Sequence, residues 1–127
     1  MTLNSRQKGA RFERKVAGLL RDIFGNKARR GQQFSGSPDS PDVVDGIKGV
    51  HLECKAVEKL NLWSAFSQAV RDCGDRLPAV VSKRNRSEVL ITIRLSDLLG
   101  FAELVVEEKN QGGTDDGVDA ISLTDQR

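Results

Sequence analysis

Apolar residues recur at helical spacing over residues 4–24, where Phe12, Val16, Leu19, Leu20 and Ile23 fall on one face. Asn4 or Ser5 can cap the start of this helix, and Gly25-Asn26 offers the left-handed stop. Gln32-Gln33-Phe34 reads as a short extended stretch, and residues 35–41 are a Ser-, Gly- and Pro-rich loop. Asp42-Val43-Val44 predicts a strand that enters an Asp45-Gly46 hairpin turn. The returning strand over residues 50–56 alternates: Val50, Leu52, Cys54 and Ala56 point one way, His51, Glu53 and Lys55 the other.

A second amphipathic helix is predicted over residues 62–73, with Leu62, Phe66, Ala69, Val70 and Cys73 on its apolar face. Residues 79–82 form a short buried strand. Lys83-Arg84-Asn85-Arg86 makes a basic hairpin loop to a strand over 88–95, and Ser96 caps a short last helix over 97–99. After about Val106 the chain turns polar, Gly-rich and acidic. The expected division is therefore one domain over 1–106 and an acidic, disordered tail over 107–127. The order α-β-β-β-α-β-β-α predicts an α/β domain with a central mixed sheet flanked by helices.

Composition narrows the class. A chain of 127 residues with 38% apolar and 30% charged residues fits one soluble domain with its own core. No apolar run approaches the roughly 18–20 residues of a membrane span, and the first residues lack the apolar segment of a signal peptide. A cytoplasmic location is expected. Cys54 and Cys73 stand apart and match no metal-ligand spacing, so they are read as reduced thiols that pack as small hydrophobes. One histidine, His51, cannot build a His-rich zinc site, so any bound metal must be held by carboxylates.

The net charge of +2 conceals an asymmetry. Residues 1–100 hold 18 Lys and Arg against 11 Asp and Glu, a balance of +7, whereas residues 101–127 hold 2 against 7, a balance of −5. A basic body suits a polyanion. Lys8, Arg11, Arg14, Arg29 and Arg30 are candidate contacts to a nucleic-acid backbone.

The chemistry concentrates in Asp42 and Glu53-Cys54-Lys55. The hairpin places the Asp42 and Glu53 carboxylates on adjacent antiparallel strands, where they repel unless a cation lies between them. Mg²⁺, with Mn²⁺ as a substitute, takes one or two carboxylates and completes its shell with water and phosphate oxygens. Lys55 leaves the same face as Glu53, so its ammonium can act on a water or on phosphate charge. The Cys54 backbone carbonyl is a further possible ligand. Glu13 has no cation at i±3 or i±4 and borders the apolar stripe. It is either a third site carboxylate or a solvated residue at the stripe's edge.

Three other features carry more than one reading each. His51 shares the Glu53 face, as a phosphate contact or a polar neighbour on a half-exposed strand. Trp63 stacks on a base, fills a dimer interface or joins the core, with the core favoured. Lys83, Arg84 and Arg86 grip phosphate or form a solvated hairpin.

Lys8-Gly9-Ala10-Arg11-Phe12-Glu13-Arg14, Ser35-Gly36-Ser37, Pro41-Asp42-Val43-Val44 and Glu53-Cys54-Lys55 together resemble the archaeal-type Holliday-junction resolvases of the PD-(D/E)XK nuclease superfamily. Their order and spacing are similar to phage-encoded PD-(D/E)XK endonucleases as well. The resemblance covers about residues 5–56. It implies a restriction-endonuclease-like core and an Mg²⁺-dependent endonuclease, with Glu13, Asp42 and Glu53 at the metal and Lys55 catalytic. It also implies DNA contact at Arg14, a loop serine (Ser35 or Ser37) near the site, and a site-shaping Gln68. Arg30 lies close to, but not in clear register with, the family's basic residue on the following strand.

The implied substrate is a four-way DNA junction, cut by a homodimer in recombination or repair, with no membrane and no small-molecule cofactor involved. Two alternatives stand beside it. One is a restriction-like or repair nuclease acting on flap, duplex or single-stranded DNA. The other is a non-catalytic DNA-binding protein.

Overall fold

The computed structural model describes residues 5–31 and 42–112. Helix α1 (Ser5–Phe24) is followed by strands β1 (Arg29–Arg30), β2 (Val43–Val44) and β3 (Val50–Ala56). Helix α2 (Leu62–Asp72), strands β4 (Leu77–Lys83) and β5 (Leu90–Thr92), a 3₁₀ turn over Leu95–Asp97 and helix α3 (Leu98–Gly112) complete the order. The sheet runs β1-β2-β3-β4-β5 and is mixed: β3 and β4 are parallel and the other pairs antiparallel. The parallel β3–β4 pair needs a crossover, and α2 supplies it. Among the described residues no helix is long and apolar enough to cross a membrane.

Alternation on β4 sorts the two layers. Ala79 and Val81 join a core cluster with Phe12, Val16 and Ala17 of α1 and Leu52 of β3, with Phe101, Leu104 and Val105 of α3 packed against it. Val80 points the other way, into a smaller cluster with Ala65 and Ala69 of α2. Strand β3 is therefore covered on both faces, and His51, expected on a half-exposed strand, is wholly buried.

Several elements depart from expectation for physical reasons. In α1 the buried stripe is Phe12, Glu13, Val16, Ala17 and Phe24, while Leu19 and Ile23 are exposed, so Glu13 sits inside the stripe. Gly25 does take the left-handed conformation, at φ +66°, and its N–H caps the carbonyl of Arg21 at 2.8 Å. In α2 the buried side is Ala65 and Ala69, and Trp63 is 83% exposed rather than core. Asn61 caps this helix by accepting from the Ser64 N–H at 3.0 Å.

The strand expected over 88–95 shortens to Leu90–Thr92, because the chain turns at Leu95–Asp97. The short last helix is instead α3, fifteen residues long. Its Phe101, Leu104, Val105 and Glu108 follow helical spacing, and the acidic last member hid the stripe's continuation. Glu108 is buried, and accepts from the Lys48 N–H at 2.9 Å and from Asn26 Nδ2 at 3.0 Å. The expected boundary at 106 thus falls inside an ordered helix. Asn4, the 32–34 stretch, Ser35, Ser37 and residues 113–127 lie outside the described residues.

Candidate functional site

The site is organised by the β2–β3 hairpin. Its connection, residues 45–49, is longer than the two-residue turn expected; Asp45 and Gly49 take positive φ values of 57° and 90°. Val43 opposes Leu52, which sets Asp42 opposite Glu53. Directly opposed residues on antiparallel strands share a face. The Asp42 N–H donates to the Leu52 carbonyl at 3.2 Å, and the Asp42 Oδ2 accepts from the Cys54 N–H at 2.7 Å. Asp42 and Glu53 are both buried.

Glu53 faces α2, since its β4 partner is Val80. Lys55, two residues on, shares that face. Its Nζ lies 3.9 Å from Glu53 Oε2 and donates to Gln68 Oε1 of α2 at 3.1 Å. Two expected site residues on different elements, Lys55 and Gln68, are therefore in direct contact. On the far side of Glu53, Oε1 lies 3.3 Å from His51 Nε2.

Glu13 finds its partner outside its own helix. Arg30 Nε donates to Glu13 Oε1 at 2.7 Å, across seventeen residues of chain. Arg30 opposes Val43 in β1–β2, so this pair adjoins the strand that carries Asp42. Cys54 marks the point where the charges meet. Burial pushes its thiol well above the usual range, the Asp42, Glu13 and Glu53 charges push the same way, and Lys55 opposes them. The four acidic and basic residues singled out from the sequence thus act on one sulfur atom.

The donor set suits a hard divalent cation. Arg30 pairs with Glu13, and the Lys55 ammonium lies 3.9 Å from Glu53. The two carboxylates brought opposite each other on adjacent strands offer the oxygen ligands that Mg²⁺ or Mn²⁺ takes. Asp42 and Glu53 would hold it.

The expected DNA contacts divide. Arg11 and Arg14 are exposed on α1, and Lys8 is half-buried there. Arg29 is exposed but pairs with Asp45, and Arg30 is engaged with Glu13. Lys59, Lys83 and Arg84 line a cleft past the ends of β3 and β4.

Sequence reasoning passed over Asp72. Ligand atoms of His51, Glu53 and Asp72 lie within 4.8 Å of one another. The signal was present in α2: Ala65, Gln68, Ala69 and Asp72 follow one helical stripe, with two polar members among small residues that let the sheet approach.

No curated protein and no solved structure matches the chain. Residues 4–111 match the family described as "Phage putative PDDEXK endonuclease", a span that includes the hairpin, both helices around it and nearly all of α3. The chain belongs to this phage PDDEXK endonuclease family.

Proposed function

We propose that the chain is a divalent-metal-dependent DNA endonuclease that hydrolyses phosphodiester bonds at four-way junctions. The observation that carries the hydrolytic reading is Asp42 opposite Glu53, with the Lys55 ammonium 3.9 Å from Glu53 and tied to Gln68. When bound, Mg²⁺ supplies Lewis-acid charge to a phosphoryl oxygen and lowers the pKa of water.

The protein's own groups do the rest. The Cys54 N–H orients the Asp42 carboxylate, and the strand fixes Glu53 beside it. Lys55 holds a positive charge where negative charge develops on the phosphate, and its Gln68 contact restrains the flexible side chain so that little reorganisation is needed. The α2–sheet packing keeps Glu53 out of bulk water, which strengthens each of these interactions. Arg11, Arg14, Lys59, Lys83 and Arg84 would grip backbone phosphate without reading sequence. Glu13 contributes its carboxylate to the same electrostatic cluster, held by Arg30.

The junction preference and a homodimer rest on the likeness of residues 5–56 to the junction resolvases, and on two matched incisions calling for two sites. Exposed apolar residues at Trp63, Leu95 and Leu99 support self-association. The test is a panel of labelled four-way junction, flap, linear duplex and single strand, cut in Mg²⁺, with the mass of the free protein measured by light scattering. Paired symmetric nicks in the junction alone, made by a dimer, are expected. Equal cutting of every substrate would leave a general nuclease, and no cutting in Mg²⁺ or Mn²⁺ would leave a DNA-binding protein.

A further inference from the structure

We infer that His51, Glu53 and Asp72 form a second cation site, selective for a borderline divalent metal such as Zn²⁺ and distinct from the Asp42–Glu53 pair. The site joins β3 to the last turn of α2 and shares Glu53 with its neighbour. It does not rest on the nuclease reading.

Three observations converge. First, one ligand atom from each residue lies within 4.8 Å of the other two. A metal with bonds of about 2.1 Å in tetrahedral array separates its ligands by roughly 3.4 Å. The His51 Nε2 to Glu53 Oε1 distance, 3.3 Å, has that spacing. It is long for a charge-assisted hydrogen bond, which falls near 2.7–2.9 Å.

Second, His51 is wholly buried, and its Nδ1 has no hydrogen-bond partner. Buried imidazole nitrogens are normally matched. The ligand nitrogen of the proposed site is Nε2, whose 3.3 Å approach to Glu53 Oε1 is the ring's one contact among the described residues; an ion there would hold the ring, whose Nδ1 makes no contact that does so. Third, Asp72 is half-buried at the end of α2, and no hydrogen bond or ion pair reaches its carboxylate among the described residues. Its backbone carbonyl, by contrast, accepts from Arg76 at 3.5 Å. Lys55 sits nearer the other Glu53 oxygen, Oε2. The Glu53 and Asp72 carboxylates and the His51 imidazole together make a donor set whose negative charge a divalent cation cancels.

The donor chemistry sets the selectivity. An imidazole nitrogen among two carboxylates suits Zn²⁺ or Co²⁺ better than Mg²⁺, which prefers oxygen and keeps its waters. Three protein ligands leave a fourth position open to water. The ion would also fix the rotamer of Glu53 and bind α2 to the sheet, so its effect extends to the neighbouring pair.

The test is Co²⁺ binding to the tag-free full chain, followed by visible absorption, with Zn²⁺ competition and excess Mg²⁺. Wild type should bind Co²⁺, yield it to Zn²⁺ and hold it against Mg²⁺. Asp72→Asn should weaken Co²⁺ roughly tenfold or more, while Asp42→Asn and Cys73→Ala keep it. Zn²⁺ should raise the melting temperature of wild type but not of Asp72→Asn. His51→Gln should lose binding as well; if it does not fold, the half-buried Asp72 still decides the question. Equal Co²⁺ affinity in wild type and Asp72→Asn overturns the site, as does full displacement by Mg²⁺. Equal loss in Asp42→Asn would place the ion at the neighbouring pair and overturn it too. Absence of DNA cleavage in every sample would remove the nuclease reading alone.

Discussion

Glu108→Ala should destabilise the protein by about 2–4 kcal/mol and loosen the hairpin that carries Asp42 and Glu53. The carboxylate accepts two hydrogen bonds, from the Lys48 N–H at 2.9 Å and from Asn26 Nδ2 at 3.0 Å, and both donors belong to other elements. A hydrogen bond to a charged group contributes about 1.5–3 kcal/mol, and an abandoned buried donor carries its own desolvation penalty. Partial access of water to Lys48, which is exposed, lowers the upper bound. Asn26 also donates to the Gly46 carbonyl at 2.7 Å, so the same tether crosses the β2–β3 connection twice.

Urea unfolding followed by circular dichroism measures the loss, with Glu108→Gln as the companion. Glutamine keeps one acceptor but turns an amide toward the other donor, so it should fall between wild type and alanine. A chain ending at residue 112 should unfold like the full chain, whereas one ending at 106 should lose at least as much as Glu108→Ala. A midpoint for Glu108→Ala within error of wild type would refute the view that α3 braces the hairpin.

Gly49→Ala should destabilise by about 1–2 kcal/mol in the same assay, because the position has φ +90° and a Cβ there would meet Leu104 Cδ1 at 3.1 Å. The raised Cys54 thiol has a definite sign: the folded state keeps its proton above the ordinary thiol pKa, so stability is full below about pH 8.5 and falls as pH rises beyond it. In EDTA the slope should approach about 1.4 kcal/mol per pH unit and shrink in Cys54→Ala, and native Cys54 should resist alkylation at pH 8. Gln68→Ala should lower the cleavage rate by roughly tenfold with little change in junction affinity, since it frees Lys55 without touching the basic surface; an unchanged rate would show that the Gln68 contact does not position Lys55.

What was legible in the sequence was the hairpin. Its faces follow a period of two, so Glu53 and Lys55 could be placed on one face and Asp42 on the adjacent strand without tertiary information, whereas the longer connection that brings Asp42 opposite Glu53 was not legible. The Gly25 stop and the basic β4–β5 turn, where Arg86 takes φ +59°, were legible for the same local reason. What was hidden is non-local. Glu13 looked unpaired because its cation, Arg30, is seventeen residues away on a strand of only two residues.

His51 looked like a polar neighbour on a half-exposed strand, because polar alternation on a strand usually means water. Here it marks the α2 layer closing over charged groups. Glu108 ended the apparent stripe of α3, although its carboxylate is buried by partners in the loop regions around Asn26 and Lys48. For Glu13 and Glu108 a buried charge is stabilised by a group that chain proximity could not reveal.

Cleavage of a labelled four-way junction by wild type and Lys55→Ala, each with Mg²⁺ and with EDTA, tests the central claim most directly. The account predicts paired nicks from wild type in Mg²⁺, none in EDTA, and none from a folded Lys55→Ala that still binds the junction. Wild-type-like cleavage by Lys55→Ala, or cleavage that persists in EDTA, would contradict it.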